Sequence, residues 1–237
     1  MDAEVESMLD RADELLKDLE GEYKKSFQAK NVTERAKNLT HEVLEKLRHT
    51  LDHTMRIAWG KYIAPNLPEK DREYVLVYFP IAGDLHSFRS TLGRANKGSV
   101  DKVHKELYSF LLKKQPFSSG QNQWLDLLAK IVPLGKHVKL IPQKRTEKIG
   151  RITVSRSGGE VSWSPSHVKF GKGVSVMGAP IDPTTQRVIP TTGVTEQVEI
   201  WVSFVLDDYG VNALIFCKEA CQKTRRLIEE MVSILKL

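Results

Sequence analysis

Residues 40–63, THEVLEKLRHTLDHTMRIAWGKYI, carry a long helical pattern. Thr40 is a suitable N-cap, and Ala64-Pro65-Asn66-Leu67-Pro68 predicts that the helix ends after Ile63. Apolar residues recur there every three or four positions, which places them on one face of an α-helix. The members of this stripe are Leu44, Leu47, Leu51, Met55, Ala58 and Tyr62.

More helices are predicted on both sides of this one. Val5–Lys30 precedes it with the same apolar period, and Tyr74–Ile81 follows as a buried extended segment that is apolar on both faces. Three shorter helices come next: Asp84–Arg94, a helix capped by Ser99, and Gln121–Val132.

The pattern changes to short β-like segments after Pro133. Gly158-Gly159 predicts a hairpin turn, Ala179–Thr195 a loop, and Gln197–Leu206 the clearest strand, before the helical period returns in Asn212–Leu237. The shorter segments are Val138–Ile141, Arg151–Val154, Glu160–Trp163 and Val174–Met177.

This order of elements predicts an α+β protein. We expect a helical bundle at 1–132, an antiparallel β-rich region or insertion at 133–206, and a C-terminal helix at 207–237. The sequence leaves open whether that last helix packs on the bundle or on the sheet.

Composition narrows the functional class. The chain has 237 residues, of which 41% are hydrophobic and 28% charged, as in soluble globular proteins. No apolar run reaches the roughly 20 residues of a membrane span, and the acidic start Met1–Glu6 differs from a signal peptide, so a cytoplasmic protein is expected. There is no Gly-x-Ser-x-Gly elbow and no phosphate-binding P-loop, which argues against a classical hydrolase.

The net charge of +6 is concentrated in residues 136–156, which hold seven basic residues and one acidic residue. Such a stretch can contact phosphates without sequence preference, and it can equally protect a strand edge from aggregation. The basic residues are Lys136, Lys139, Lys144, Arg145, Lys148, Arg151 and Arg156.

Chemistry-bearing residues cluster on the 40–63 helix. Arg48 and Asp52 are four residues apart and can pair, and His49 and His53 share a face for the same reason. Arg48 and His53 are roughly 140° apart on a regular helix, with His53 opposite the apolar stripe.

Three interpretations of this cluster remain open. In the first, a histidine moves the proton of an RNA 2′-hydroxyl while Arg48 holds the phosphate, with no metal. In the second, His49, Asp52 and His53 bind zinc, although the glutamate of the zinc-protease helix motif is missing. In the third, Arg48–Asp52 is a structural helix pair and the histidines are solvated.

Several motifs resemble a broad set of bacterial proteins. Leu47–His53 is similar to their Leu-Arg-Ser-Ala-Leu-Asp-His core, and Tyr78–Ile81 with Phe88-Arg89 is similar to their Phe-Pro-Ile segment. Trp124-Leu125 followed by Gly135-Lys136-His137 resembles a third motif, in which Gly135 replaces the usual aspartate.

The pattern of an arginine, a polar residue, three residues and a histidine resembles the signature of HEPN helical domains. The resemblance implies a four- or five-helix bundle, a homodimer, and either metal-independent endoribonuclease activity or a non-catalytic binding or scaffold role. It also implies a toxin or phage-defence setting, with an antitoxin or defence partner. Arg48 and His53 would be the catalytic pair and His49 the polar residue of the motif.

Lys136 and His137 form a second candidate cluster at the start of the basic stretch. We expect no metal and no cofactor, and RNA as the partner. The expected RNA-binding residues are Lys136, His137, Lys139, Lys144, Arg145, Lys148 and Arg151.

Overall fold

The computed structural model shows a protein of mixed helix and antiparallel sheet, so the predicted α+β class is confirmed. It describes residues 2–29, 32–69, 72, 77–96, 100–137, 143–165, 167–206 and 209–237, and the side chains of 26–29, 93–96, 134–137, 143–150 and 199–205 are not part of this description. The helices within these ranges are α1 (Ala3–Ala29), α2 (Glu34–Tyr62), α3 (Leu85–Asn96), α4 (Val100–Val103), α5 (Lys105–Lys113), α6 (Gln123–His137) and α7 (Ala213–Leu235).

The central helix α2 begins earlier than the sequence predicts. Its N-cap is Thr33, whose hydroxyl oxygen accepts a hydrogen bond from the backbone N–H of Ala36 at 3.1 Å. The prediction of Thr40 as the cap is wrong, because Thr40 is fully buried and its hydroxyl donates to the carbonyl of Ala36 at 2.8 Å. The apolar face continues through Leu39, so burial extends the helix beyond the first threonine that could stop it.

The predicted stripe on α2 forms the centre of one large core. Leu44, Leu47 and Leu51 are completely buried, and α2 packs against α1, α6 and α7. Full burial of each leucine stabilises the fold by roughly 1.5–3 kcal/mol. Since α7 belongs to this core, the C-terminal helix packs on the bundle, and the β region lies in the chain between two helices that share one core.

The predicted buried segment is confirmed only in part, because Phe79 and Pro80 are buried whereas Tyr78 is 52% exposed. Residues 77–82 form neither helix nor strand and have no strand partner among the described residues, while 73–76 lie outside the description. Asp84 then caps α3, its Oδ1 accepting from the backbone N–H of Ser87 at 2.8 Å. Ser99 lies outside the described residues, and α5 is capped by His104, whose Nδ1 accepts from the N–H of Leu107 at 3.1 Å.

Helix α6 passes through Pro133 and ends at His137, five residues beyond the predicted end at Val132. A proline usually ends or bends a helix, because it lacks the N–H that bonds to the carbonyl four residues earlier. Here Pro133 lines a cleft between α2, α6 and residues 77–82.

The described strands are β1 (Gln143–Arg156), β2 (Gly159–Trp163), β3 (Ser175–Val176), β4 (Ala179–Pro180), β5 (Thr195–Leu206) and β6 (Val211–Asn212). The sheet is antiparallel, in the order β2-β1-β5-β6, with β3 and β4 forming a separate pair. The turn between β1 and β2 uses Ser157 and Gly158, both at positive φ, rather than the predicted Gly158-Gly159, since a type I′ turn needs positive φ at both central residues. The predicted strand at 138–141 lies outside the described residues.

The long β1–β5 ribbon connects two cores. Leu206, which pairs with Gln143, belongs to the bundle core, whereas Ile152, Val154 and Trp163 form a second, smaller core with Ile181. Gln143 and Ile152 are separated by about 30 Å at the rise of roughly 3.4 Å per residue of antiparallel strands. None of the described helices is long and apolar enough to span a membrane.

Candidate functional site

Arg48 and Asp52 pair on α2 as their spacing predicts. The guanidinium Nε donates to Oδ2 of Asp52 at 3.2 Å, and Nη2 lies 2.9 Å from Oδ1. The side chains are 17% and 16% exposed, so the pair is largely shielded from solvent. Charge-assisted bonds of this kind are stronger than neutral ones, and they fix the orientation of both side chains.

The same pair also holds the backbone of Phe79. Arg48 Nη2 donates to the carbonyl of Phe79 at 3.0 Å, and the N–H of Phe79 donates to Asp52 Oδ1 at 2.8 Å. Both polar backbone groups of one residue are therefore satisfied by side chains of α2. This matters because the 77–82 segment has no described strand partner to satisfy them.

Gln115, just after α5, completes the attachment. It is fully buried, its Oε1 accepts from the N–H of Ala82, and its Nε2 donates to the carbonyls of Pro80 and Leu111, all at 2.9 Å. We call Arg48, Asp52 and Gln115 the clamp. Sequence reasoning missed Gln115, because nothing in its polar neighbourhood distinguishes it from a solvated residue.

A cleft of about 290 Å³ lies beside the clamp, between α2, α6 and the 77–82 segment. The contacts of Arg48 use Nε and Nη2, so its Nη1 keeps two N–H donors for the cleft. His49 is half exposed here, at 47% of its side chain, and Tyr78 is 52% exposed. The lining residues are Arg48, His49, Asp52, Tyr78, Ile81, Ala129, Val132 and Pro133.

Pro133 changes the backbone hydrogen bonding of α6 beside this cleft. Ala129 is four residues before Pro133 on α6, and both line the cleft. Because Pro133 has no N–H, it cannot donate to the carbonyl of Ala129 as another residue in a helix would. The cleft therefore lies between Arg48 on α2 and a part of α6 that has one helical hydrogen bond fewer.

His53 lies away from this cleft. Its Nε2 is 3.4 Å from Oε2 of Glu4 on α1, and its Nδ1 is 2.6 Å from Nη2 of Arg56. The side chain is only 12% exposed, since α1 covers a face of α2 that the helical wheel places opposite the apolar stripe. Within the described residues, the structure brings Arg48 together with His49 and gives His53 other neighbours.

The residues of the zinc interpretation do not fit a metal. Both carboxylate oxygens of Asp52 already accept hydrogen bonds from Arg48 or Phe79.

A second group of possible metal ligands lies between α1 and α2. Asp2, Glu4 and His53 hold ligand atoms within 4.8 Å of one another. However, Arg56 is always a donor, so Nδ1 of His53 accepts and the proton of the neutral ring lies on Nε2, which leaves no lone pair facing the carboxylates.

The predicted RNA-binding residues are spread over α6 and β1. Lys136 and His137 occupy the last turn of α6, and Arg151 is exposed on β1. Lys139 lies outside the described residues. The remaining three, at backbone positions of β1, are Lys144, Arg145 and Lys148.

The buried carboxyl of Asp52 is expected to make the stability of the protein depend on pH. Burial raises the pKa of its carboxyl above the ordinary 3.8, although Arg48 and the N–H of Phe79 act in the opposite direction. The folded state thus binds this proton more tightly than the unfolded chain, so the contribution to stability is complete below about pH 4 and is lost as pH rises through the folded pKa. We expect the free energy of unfolding of the wild type, relative to Asp52→Asn, to fall over that window.

Urea denaturation of both proteins at several pH values would measure this difference. A difference that stays constant, or that grows in favour of the wild type with rising pH, would contradict the direction given for Asp52. Asp182→Asn is a useful control, because hydrogen bonds from Thr184 and Thr185 lower the pKa of that exposed carboxyl and the sign of the effect is reversed.

Comparison with family models, curated proteins and solved structures found no match to this chain. The fold and the cleft define its class as a mixed helix-and-sheet protein. In this protein the clamp fixes residues 77–82 beside a small cleft that is lined by both polar and apolar residues.

Proposed function

We propose that the chain is a non-catalytic RNA-binding module built on a HEPN-like helical bundle, with the cleft as its recognition site. The observation that supports this most is the double role of the Arg48–Asp52 pair. Both residues bind the backbone of Phe79, so the motif that resembles a catalytic signature shapes one wall of the cleft.

The electrostatics of the pair support binding over chemistry. The carboxylate of Asp52 neutralises much of the charge that Arg48 would otherwise direct at a phosphate. His53, the expected proton carrier, contacts Glu4 and Arg56 on another face. Proton transfer needs the base within hydrogen-bonding distance of the reacting group, and that arrangement is missing between Arg48 and His53 among the described contacts.

RNA is the proposed partner because of the charge distribution. The whole net charge of +6 falls within residues 136–156, and Arg151 in that stretch is exposed on β1. RNA releases counterions from its phosphate backbone when it binds such a surface, which makes the affinity strongly dependent on salt.

The test is fluorescence anisotropy of a short labelled single-stranded RNA in EDTA, with the RNA examined afterwards on a denaturing gel. We expect saturable binding that weakens steeply with salt, and intact RNA. Arg151→Glu should weaken binding several-fold, whereas Arg11→Glu, an exposed cation on α1, should not. Equal effects of the two substitutions, or no binding by the wild type, would refute the proposal.

One observation favours a metal-independent endoribonuclease as a second candidate: Arg48 and the half-exposed His49 line the same cleft. His49 would take the 2′-hydroxyl proton as the 2′-oxygen attacks phosphorus. The bond to the 5′-oxygen would break, leaving a 2′,3′-cyclic phosphate, and the departing 5′-oxygen would take up a proton to become a 5′-hydroxyl. The pairing of Arg48 with His53 would instead need a homodimer in which two copies form one cleft.

The same gel distinguishes these possibilities. If the wild type cleaves RNA and this activity is lost in His49→Ala but kept in His53→Ala, the chain is this enzyme and the proposal of a non-catalytic module is wrong. Loss in both Arg48→Ala and His53→Ala, with folding intact, would favour the Arg48–His53 pair. Cleavage that all variants retain would come from a contaminating nuclease and leave the binding proposal in place.

A further inference from the structure

We infer that the cleft binds the base of an unpaired nucleotide and leaves the phosphates of the RNA to the basic strand outside it. This inference rests on the proposed RNA-binding function and specifies which part of the RNA enters the cleft. It combines three features of the cleft: its hydrogen-bonding groups, its apolar walls and its charge.

The hydrogen-bonding groups of the cleft match the edge of a nucleobase. Arg48 lines the cleft and its contacts with Asp52 and Phe79 do not use Nη1, and we assign the role of acceptor to the carbonyl of Ala129, to which Pro133 cannot donate. Each nucleobase presents an N–H donor next to a carbonyl or ring-nitrogen acceptor on one edge. A phosphate has acceptors only, and it would leave the Ala129 carbonyl without a partner.

The walls suit a flat ring. Ile81, Val132 and Pro133 are apolar, and Tyr78 stands half exposed at the rim. Aromatic side chains of this kind stack on unpaired bases in single-stranded RNA, regardless of which base it is. At about 290 Å³ the cleft lies just below the usual range of ligand pockets, which is about 300–1,000 Å³. That volume is sufficient for one base.

The charge around the cleft disfavours a phosphate. Asp52 is paired with Arg48 within the lining itself. Oε1 of Glu45 lies 3.9 Å from Nε2 of His49, so a second carboxylate stands next to the other polar lining residue. An uncharged base avoids repulsion from these two acids, and a negatively charged phosphate does not.

Isothermal titration calorimetry of the intact chain with the four ribonucleosides and with ribose 5-phosphate tests this inference. We expect saturable binding of at least one nucleoside and none of ribose 5-phosphate. Methylation of the ring or exocyclic nitrogen that donates the hydrogen bond should weaken the binding of that nucleoside at least tenfold. Binding of ribose 5-phosphate as tight as that of the nucleosides would overturn the assignment.

Pro133→Ala tests the proposed acceptor together with one apolar wall of the cleft. The new N–H would occupy the Ala129 carbonyl, so nucleoside binding should weaken at least fivefold while the helix becomes no less stable. Tyr78→Ala should weaken it about tenfold, and Ile189→Ala, an equally exposed apolar residue in the β region, should leave it unchanged. Unchanged affinity in both Pro133→Ala and Tyr78→Ala would place the nucleoside elsewhere and refute the inference.

Competition against the labelled RNA separates this inference from the function on which it rests. RNA that binds but is neither displaced by any nucleoside nor affected by Pro133→Ala would be held through its phosphates alone. The base site in the cleft would then be excluded, while RNA binding through the basic residues of 136–156 would stand. If neither RNA nor nucleosides bind, both proposals fail.

Discussion

Replacing Gln115 with alanine is expected to lower the free energy of unfolding by about 4 kcal/mol, since each buried polar group left without a partner costs about 1–3 kcal/mol. The substitution orphans the N–H of Ala82 and the carbonyl of Pro80 and leaves a cavity where the amide was. A typical domain has a total stability of only about 5–15 kcal/mol, so this variant should be severely destabilised.

Urea denaturation followed by circular dichroism measures this loss. Gln222→Ala is the matched control, because Gln222 is exposed on α7 and its truncation should change the free energy of unfolding by less than about 0.5 kcal/mol. A loss below about 1 kcal/mol for Gln115→Ala would show that other contacts hold the 77–82 segment.

Arg48→Ala is expected to cost about 3 kcal/mol, although the residue lines a cleft and is 17% exposed. The change leaves a shielded carboxylate on Asp52 without its cation and removes the donor to the carbonyl of Phe79. Removing one partner of a buried ion pair typically costs about 3–5 kcal/mol, and the residual exposure of this pair places it at the lower end.

Lys223→Ala is the comparison for Arg48→Ala, because Lys223 also pairs with an acid four residues away, Glu219, at 2.8 Å. That pair is exposed and holds no backbone group among the described contacts, so its loss should cost at most about 0.5 kcal/mol. Similar values for the two variants would mean that the Arg48–Asp52 pair is an ordinary surface pair and that the clamp is not a unit.

Periodicity predicts the helices of this chain well where one face is continuously apolar. The stripe on α2 and the helical pattern of the C-terminal segment are confirmed as buried faces of one core. Their ends are less predictable, because caps depend on competition between local signals and burial. Thr40 satisfies the local signal for an N-cap, yet the bundle buries it and moves the start of α2 to Thr33.

The candidate site is only partly visible in the sequence. The Arg48–Asp52 pair follows from a spacing of four residues. Its attachment to Phe79 and the role of Gln115 join residues that are far apart in the chain, and no local pattern encodes such contacts. The contact of His53 with Glu4 was unpredictable for the same reason, because Glu4 lies on a different helix.

The clamp recognises only backbone groups: the N–H groups of Phe79 and Ala82 and the carbonyls of Phe79 and Pro80. Proline at position 79 or 82 would remove a required donor, but most other side chains would leave all four bonds possible. The neighbouring wall residues Tyr78 and Ile81 are therefore free to vary without loss of the clamp. Relatives of this chain that keep the clamp could evolve new ligand preferences by changing those two positions on an otherwise constant scaffold.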